Sequence, residues 1–227
     1  MFISKSMTQK VVTVREDTDV LKAREQMVAH RIRHLPVIDD DDRLIGMVSD
    51  RDIRSILPRS AYQAVAEGLP VTVEKPTPVS EIMTRNPVSI SPYNTIEDAL
   101  LRIQGIRVGA FPVVDDQGKL VGVLSVRDLL RAFIAVLGIE EPGTLLGILV
   151  EEKVGQMKKI VDIITEENIS FGSILVARYW EKDKRAVFAY LLTNNVRGVK
   201  KKLKAQGFKL LDPMEWTMDQ IPRHELK

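Results

Sequence analysis

The sequence predicts a mixed α/β (α+β) protein: two copies of one supersecondary unit packed as a pseudo-symmetric pair, then a smaller domain with the element order βαββαβ. Two observations carry this. Residues 7–55 recur at 83–131 at a fixed offset and without a gap. Met7-Thr8 matches Met83-Thr84, Pro36-Val37 matches Pro112-Val113, Gly46 matches Gly122, and Ser49, Arg51 and Asp52 match Ser125, Arg127 and Asp128. About fourteen of roughly fifty aligned positions are identical, and about ten more exchange one apolar residue for another. The hydrophobic rhythm then changes after residue 143, where the repeat has ended.

Within each copy the elements follow in one order. A short strand (Val11 to Val14; Val88 to Ile90) leads to a helix with Val20, Ala23, Met27 and Val28 inward, or Ile96, Ala99, Leu100 and Ile103 in the second copy. This is the spacing of an amphipathic helix. Two apolar strands follow, Leu35 to Ile38 with Leu44 to Val48, and Phe111 to Val114 with Leu120 to Leu124. Pro36 and Pro112 belong at a strand start or edge, since proline cannot donate to a central ladder. Asp39 to Asp42 and Asp115-Asp116-Gln117-Gly118 form the turns. Four aspartates suggest a metal, but the second copy keeps only two, which favours a solvated hairpin tip. A helix beginning near Asp50 or Val126 closes each copy, the second ending within 132–138.

The copies are assigned to residues 1–57 and 79–137, with a proline-rich connecting excursion at 58–78 and a short helix at Ala61 to Glu67. A linker spans 138–143. In the domain at 144–211, strands at 145–150, 174–179, 186–192 and 208–211 alternate with helices at 156–166 and 196–205, Gly207 stopping the second helix. Met157, Ile160, Val161 and Ile164 face inward on the first of these helices. The order is the ferredoxin-like one. The tail, 212–227, carries Trp216 and Met218.

Composition excludes several functions. With no cysteine among 227 residues, neither a disulfide framework nor thiolate chemistry is available, which fits a reducing cytoplasm. A net charge of +2 is too small for a nucleic-acid binder. No apolar run is long enough to span a bilayer. The basic cluster Lys200-Lys201-Lys202 with Lys204 reads as the solvated face of a helix. His30, His34 and His224 lack metal spacing, and neither a nucleophile elbow nor a Walker-type loop is visible, so catalysis is not expected.

The chemistry lies where strand gives way to helix, at Gly46-Met47-Val48-Ser49-Asp50-Arg51-Asp52 and Gly122-Val123-Leu124-Ser125-Val126-Arg127-Asp128. A helix N-terminus offers unpaired N–H groups to a phosphate. The serine adds a donor, the aspartate can accept from a ribose diol, and Arg51, Arg54, Arg127 and Arg131 supply cations for phosphate oxygens. The same Ser-x-x-Asp spacing also describes a capping box, in which both side chains merely satisfy backbone N–H groups.

Both copies resemble CBS domains, and together they resemble the tandem pair called a Bateman module. The resemblance rests on Met-Thr, the apolar-Pro-Val strand, the acidic turn and Gly-x-x-Ser-x-Arg-Asp, and covers residues 1 to about 137. It implies clefts that bind an adenosine-containing ligand such as AMP, ADP, ATP or S-adenosylmethionine, with Mg²⁺ only if ATP is bound. By the family pattern Asp52 and Asp128 hold the ribose, and Ser49 and Ser125 lie beside ribose and phosphate. Arg33, His34 and Leu35, or Gly109, Ala110 and Phe111, line the base and phosphate pocket. Arg33 and His34 align with Gly109 and Ala110, so the clefts differ, and the one with more positive charge should favour more phosphate. Arg31 and Arg107 match each other and fit a solvated face.

Residues 144–211 resemble an ACT domain, a family in which a loop after the first strand binds an amino acid. Here that loop is Glu152, Lys153, Val154, Gly155 and Gln156, with valine where the family has proline. The order CBS, CBS, ACT is similar to acetoin-utilisation B-type proteins. It implies a non-catalytic regulatory sensor, a homodimer, with a ligand-free dimerisation scaffold as the alternative.

Overall fold

The computed structural model describes residues 1–71, 76–106, 108–181 and 183–211. Arg107, Lys182 and the tail with Trp216 and Met218 lie outside them. The chain divides into two units, Met1–Ala132 and Phe133–Lys227.

In the first unit, copy one comprises α1 (Val20–His30), β1 (His34–Ile38), β2 (Leu44–Ser49) and α2 (Asp50–Ile56). The excursion holds α3 (Arg59–Ala66), and β3 (Thr84–Arg85) follows it. Copy two comprises α4 (Ile96–Gly105), β4 (Ala110–Val114), β5 (Leu120–Ser125) and the start of α5 (Val126–Leu137), whose residues from Phe133 on fall in the second unit. The helices begin where side chains replace the missing backbone partners. Asp19 caps α1 by accepting from Leu21 N–H at 2.8 Å, and Thr95 and Asp98 form a capping box on α4. Each hairpin carries the same register shift, between Val37 and Ile38 and between Val113 and Val114.

The strands expected at Val11 to Val14 and Val88 to Ile90 shrink to single parallel bridges, Val14 to Val37 and Ile90 to Val113. Proline supplies the reason. Val14 N–H donates to Pro36 C=O, and Val14 C=O accepts from Ile38 N–H, both at 3.1 Å. The next rung would need an N–H from Pro36, which has none. Pro112 stops the second copy in the same way, accepting from Ile90 N–H at 3.0 Å. Both prolines stand mid-strand, with their backbone turned to the weakly paired side.

The turns repeat as well. Asp39 Oδ1 accepts from Asp41 and Arg43 N–H, and Asp115 Oδ1 from Gln117 and Lys119 N–H, all at 2.9–3.0 Å. The aspartates thus serve as local turn formers. No metal-holding cluster of three or more acidic, histidine or cysteine side chains occurs among the described residues.

The segments that open each repeat in sequence complete the core of the other copy in space. Ile3 is buried with Phe111, Val113 and Leu124, and Met7 packs against the same cluster. Val79 and Met83 are buried with Leu35, Val37 and Val48. Gly46 and Gly122 are glycine because a Cβ there would overlap the thioethers of Met83 and Met7. Main-chain pairing follows the exchange: Met47 pairs with Thr84, and Val123 with Thr8.

In the second unit, β6 (Thr144–Glu151), α6 (Gln156–Glu166), β7 (Phe171–Glu181), β8 (Lys184–Leu191), α7 (Arg197–Ala205) and β9 (Lys209–Leu210) form a βαββαβ unit. Its antiparallel sheet has the order β7-β8-β6-β9. Alternate residues Leu146, Ile148 and Val150 of β6 and Val187, Ala189 and Leu191 of β8 meet Ile160, Ile163 and Ile164 of α6 and Val199 and Leu203 of α7. Ile163 takes the inward place expected of Val161, which stays half-buried because one helical step turns it about 100° from Ile160. Gly207 ends α7 with φ +82°, while Phe208 N–H reaches back to Leu203 C=O at 3.0 Å.

Candidate functional site

The two copies are related by a pseudo-two-fold axis that can be read from their hydrogen bonds. Leu44 N–H donates to Gly118 C=O and Leu120 N–H to Asp42 C=O, both at 3.1 Å, and each bond is the image of the other. Between them Arg43 bridges its own counterpart, Lys119. At the seam the start of each closing helix meets the residue before the Pro-Val strand: Asp50 N–H donates to Arg33 C=O at 2.9 Å, and Val126 N–H to Gly109 C=O at 3.3 Å.

Both Ser-x-x-Asp sequences are complete capping boxes. Ser49 N–H and Oγ donate to Asp52 Oδ2 at 2.8 and 2.6 Å, and Asp52 N–H donates back to Ser49 Oγ at 3.3 Å. Ser125 and Asp128 repeat this at 2.9, 2.5 and 3.3 Å. Each box uses one carboxylate oxygen. Asp128 is 9 % exposed, and its Oδ1 has Arg131 at 3.4 Å. Asp52 Oδ1 has no hydrogen bond among the described residues.

The other expected residues fall in different places. Arg33, Arg51 and Arg127 are exposed. Leu35 and Phe111 are fully buried in the cores of their copies, and Ala110 is nearly so. Arg54 is engaged by Asp50 Oδ2 and by the Tyr62 hydroxyl, both at 2.9 Å.

His34 begins β1 opposite Ser49, and its ring crosses the seam to Gly109. A Cβ on Gly109 would lie 2.7 Å from His34 Cε1. Burial holds the imidazole below its ordinary pKa; Asp52 and Asp50 oppose this and Arg33 reinforces it. The ring is therefore neutral near pH 7, and only Arg33 adds charge there.

One cluster escaped the reading of the sequence. Asp50 Oδ1 accepts from Arg24 Nη1 at 2.7 Å and from the Tyr62 hydroxyl at 2.6 Å. The Arg24 guanidinium lies 4.1 Å from the centre of the Tyr62 ring. Arg24 and Asp50 side chains are only 12 % and 14 % exposed. The cluster ties α3 to the middle of α1 and to the start of α2. The signal was present in the repeat: Arg24, Asp50 and Arg54 align with Leu100, Val126 and Leu130.

In the second unit the loop after β6 is drawn back by an ion pair between Glu152 and Arg185 and by Glu152 N–H donating to Asp183 C=O at 3.0 Å. Val154 is wholly exposed, and Gly155 has φ +90° with open space around it, so its role is conformational. Lys202 pairs with Glu166 and Glu167, while Lys200, Lys201 and Lys204 are solvated.

Two α/β repeats that complete each other's cores, with a capped helix start in each, define a paired-repeat module. The family model for the CBS domain matches residues 3–59 and 79–135. The chain belongs to the CBS-domain family. It is 31% identical over 142 residues to a CBS domain-containing protein of Dictyostelium discoideum, an alignment covering 60% of this chain and 94% of that one. It is 31% identical over 121 residues to an inosine-5'-monophosphate dehydrogenase of Methanocaldococcus jannaschii, covering 53% of this chain but only 21% of that enzyme. The fold is similar to that of an acetoin utilization protein from Vibrio cholerae, with a TM-score of 0.51 and 24% identity over 62% of this chain and 96% of that one. CBS pairs generally serve as regulatory modules. No described helix is long and apolar enough to cross a membrane.

Proposed function

We propose that the protein is a non-catalytic regulatory sensor that binds an adenosine-containing ligand at the seam between its CBS repeats. The observation that carries this reading is the pair of helix starts at the seam, each setting a serine and an aspartate at the positive end of a helix. The second carboxylate oxygen of each aspartate is the acceptor for a ribose hydroxyl, and Arg33, Arg51, Arg127 and Arg131 are the cations for phosphate. Binding shifts the relative angle of the repeats only by the difference in affinity for the two arrangements. Mg²⁺ enters only with ATP. The βαββαβ unit serves as an ACT-like pairing or amino-acid-sensing domain in a cytoplasmic homodimer, a reading supported by its strand order and by Gly155.

A second reading has one observation in its favour. Both capping boxes are complete without a ligand, as they would be in a dimerisation scaffold. Thermal unfolding with AMP, ADP, ATP, S-adenosylmethionine and amino acids, with and without Mg²⁺, separates the two. A ligand at a hundred times its dissociation constant stabilises by about 2.7 kcal/mol, a shift of roughly 5–10 °C. Asp128→Ala should weaken nucleotide affinity by about 10–100-fold, the worth of hydrogen bonds to a charged group. No shift with any nucleotide, from protein free of bound nucleotide, establishes the scaffold.

A further inference from the structure

We propose that α5 carries the signal of the sensor: one unbroken helix begins in the core of copy two and ends within the second unit, so a ligand bound to the repeats acts on that unit through the helix. The inference rests on the sensor reading above. The repeat supplies the first argument. In copy one the closing helix α2 has seven residues and stops at Leu57, which is extended (φ −80°, ψ 138°) before Pro58. The aligned residues of copy two are Phe133 and Ile134, and α5 runs on through both to Leu137, twelve residues in all. Proline disfavours a helical conformation at the residue before it, and isoleucine does not. Copy two lacks the stop that copy one has.

The ends of α5 supply the second argument. Residues Val126–Ala132 belong to the first unit, where Leu129 and Ala132 are buried in the core of copy two and Asp128 closes the capping box with Ser125. From Phe133 on the helix belongs to the second unit, and there the segment expected to be a linker, 138–143, is fastened down. Gly138 turns the chain at φ +64°, and a Cβ on it would lie 3.1 Å from the Gly172 backbone of β7. The Tyr190 hydroxyl donates to Glu141 C=O at 2.6 Å. Gly143 has no room for a side chain against Leu191 C=O and the Tyr190 ring. A displacement of the helix end therefore reaches β7 and β8, where a flexible linker would absorb it. Phe133, Ile134 and Val136 belong to no core cluster, so the helix can be broken there without opening a core.

Both tryptophans, Trp180 and Trp216, follow residue 132, so tryptophan fluorescence reports on the second unit alone. The test compares the full chain with Ile134→Pro, which transplants the stop of copy one, and with Ile134→Ala, which keeps the helix. A glycine–serine insertion between Ala132 and Phe133 interrupts the same helix without proline and should behave as Ile134→Pro does. Circular dichroism shows that each variant is folded, and isothermal titration measures its AMP affinity. AMP should change the fluorescence of wild type and Ile134→Ala, whereas Ile134→Pro should bind AMP with wild-type affinity and show no change. A full response in Ile134→Pro, or none in wild type that binds AMP, would overturn the inference and leave the sensor reading standing. A second arm needs no ligand. Asp128→Ala should lower the thermal midpoint followed by tryptophan by about 2–4 °C when the helix is intact, and leave it unchanged in Ile134→Pro. Equal shifts in both backgrounds would overturn the inference as well. No AMP uptake by wild type would remove the sensor reading and the signalling role with it.

Discussion

Copy one and copy two share a backbone but surround the same helix start differently. In copy one the first residue of the closing helix is Asp50, held by Arg24 and Tyr62 under α3. In copy two that place is Val126, 39 % exposed, near Leu130, which is 60 % exposed. The capping boxes are alike to within about a tenth of an ångström. Duplication has thus kept what the backbone requires and changed what the neighbouring chain requires. The nearly buried carboxylate at position 50 is matched by Arg24, Arg54 and the Tyr62 hydroxyl that α3 brings to it, whereas the aligned residues of copy two are apolar.

Asp50→Ala should produce the largest effect. Removing one member of a nearly buried pair strands Arg24 and should cost about 3 kcal/mol in urea unfolding. Val126→Ala should change stability by less than about 1 kcal/mol. Equal losses would show that α3 contributes nothing at this point. Transplanting the residues of copy two, Arg24→Leu with Asp50→Val, should recover part of the loss, since two apolar groups leave no stranded charge.

Gly46→Ala and Gly122→Ala come next, at about 1–3 kcal/mol each, because the new methyl must displace Met83 or Met7 from a packed core. A deficit relieved by Met83→Ala in the Gly46→Ala background would tie the loss to this contact.

Asp52→Ala and Asp128→Ala should each cost about 1 kcal/mol without ligand, the worth of a cap. Added AMP should raise the unfolding midpoint of each variant less than that of wild type. A full wild-type response in either variant would remove that aspartate from the ligand site.

The smallest effect is that of pH. Burial lowers the His34 pKa below its ordinary 6.5, so the unfolded chain binds the proton more readily than the native one. Stability is full above about 6.5 and falls as pH drops from there toward the lowered native value. Unfolding at pH 7.5 and 5.5 should show a steeper acid loss in wild type than in His34→Ala. Parallel losses would place the ring in water.

The order of elements was legible because period-2 and period-3.6 apolar patterns respond to one buried face, which each segment carries in itself. The capping boxes were legible for the same reason, since a cap is a contact over three residues. The ligand reading of the same residues was not, because a ribose and a backbone N–H ask for the same carboxylate. The fate of Leu35 and Phe111 depended on facing walls of the core that spacing does not reveal. The sequence by itself determined the repeat, the strand and helix order and the local caps, all fixed by neighbours in the chain. Only the tertiary structure decided that Ile3 and Met7 finish the core of copy two, that Val79 and Met83 finish that of copy one, and that His34 rests on Gly109. Those contacts join residues tens of positions apart, and packing chooses among partners that local pattern leaves equivalent.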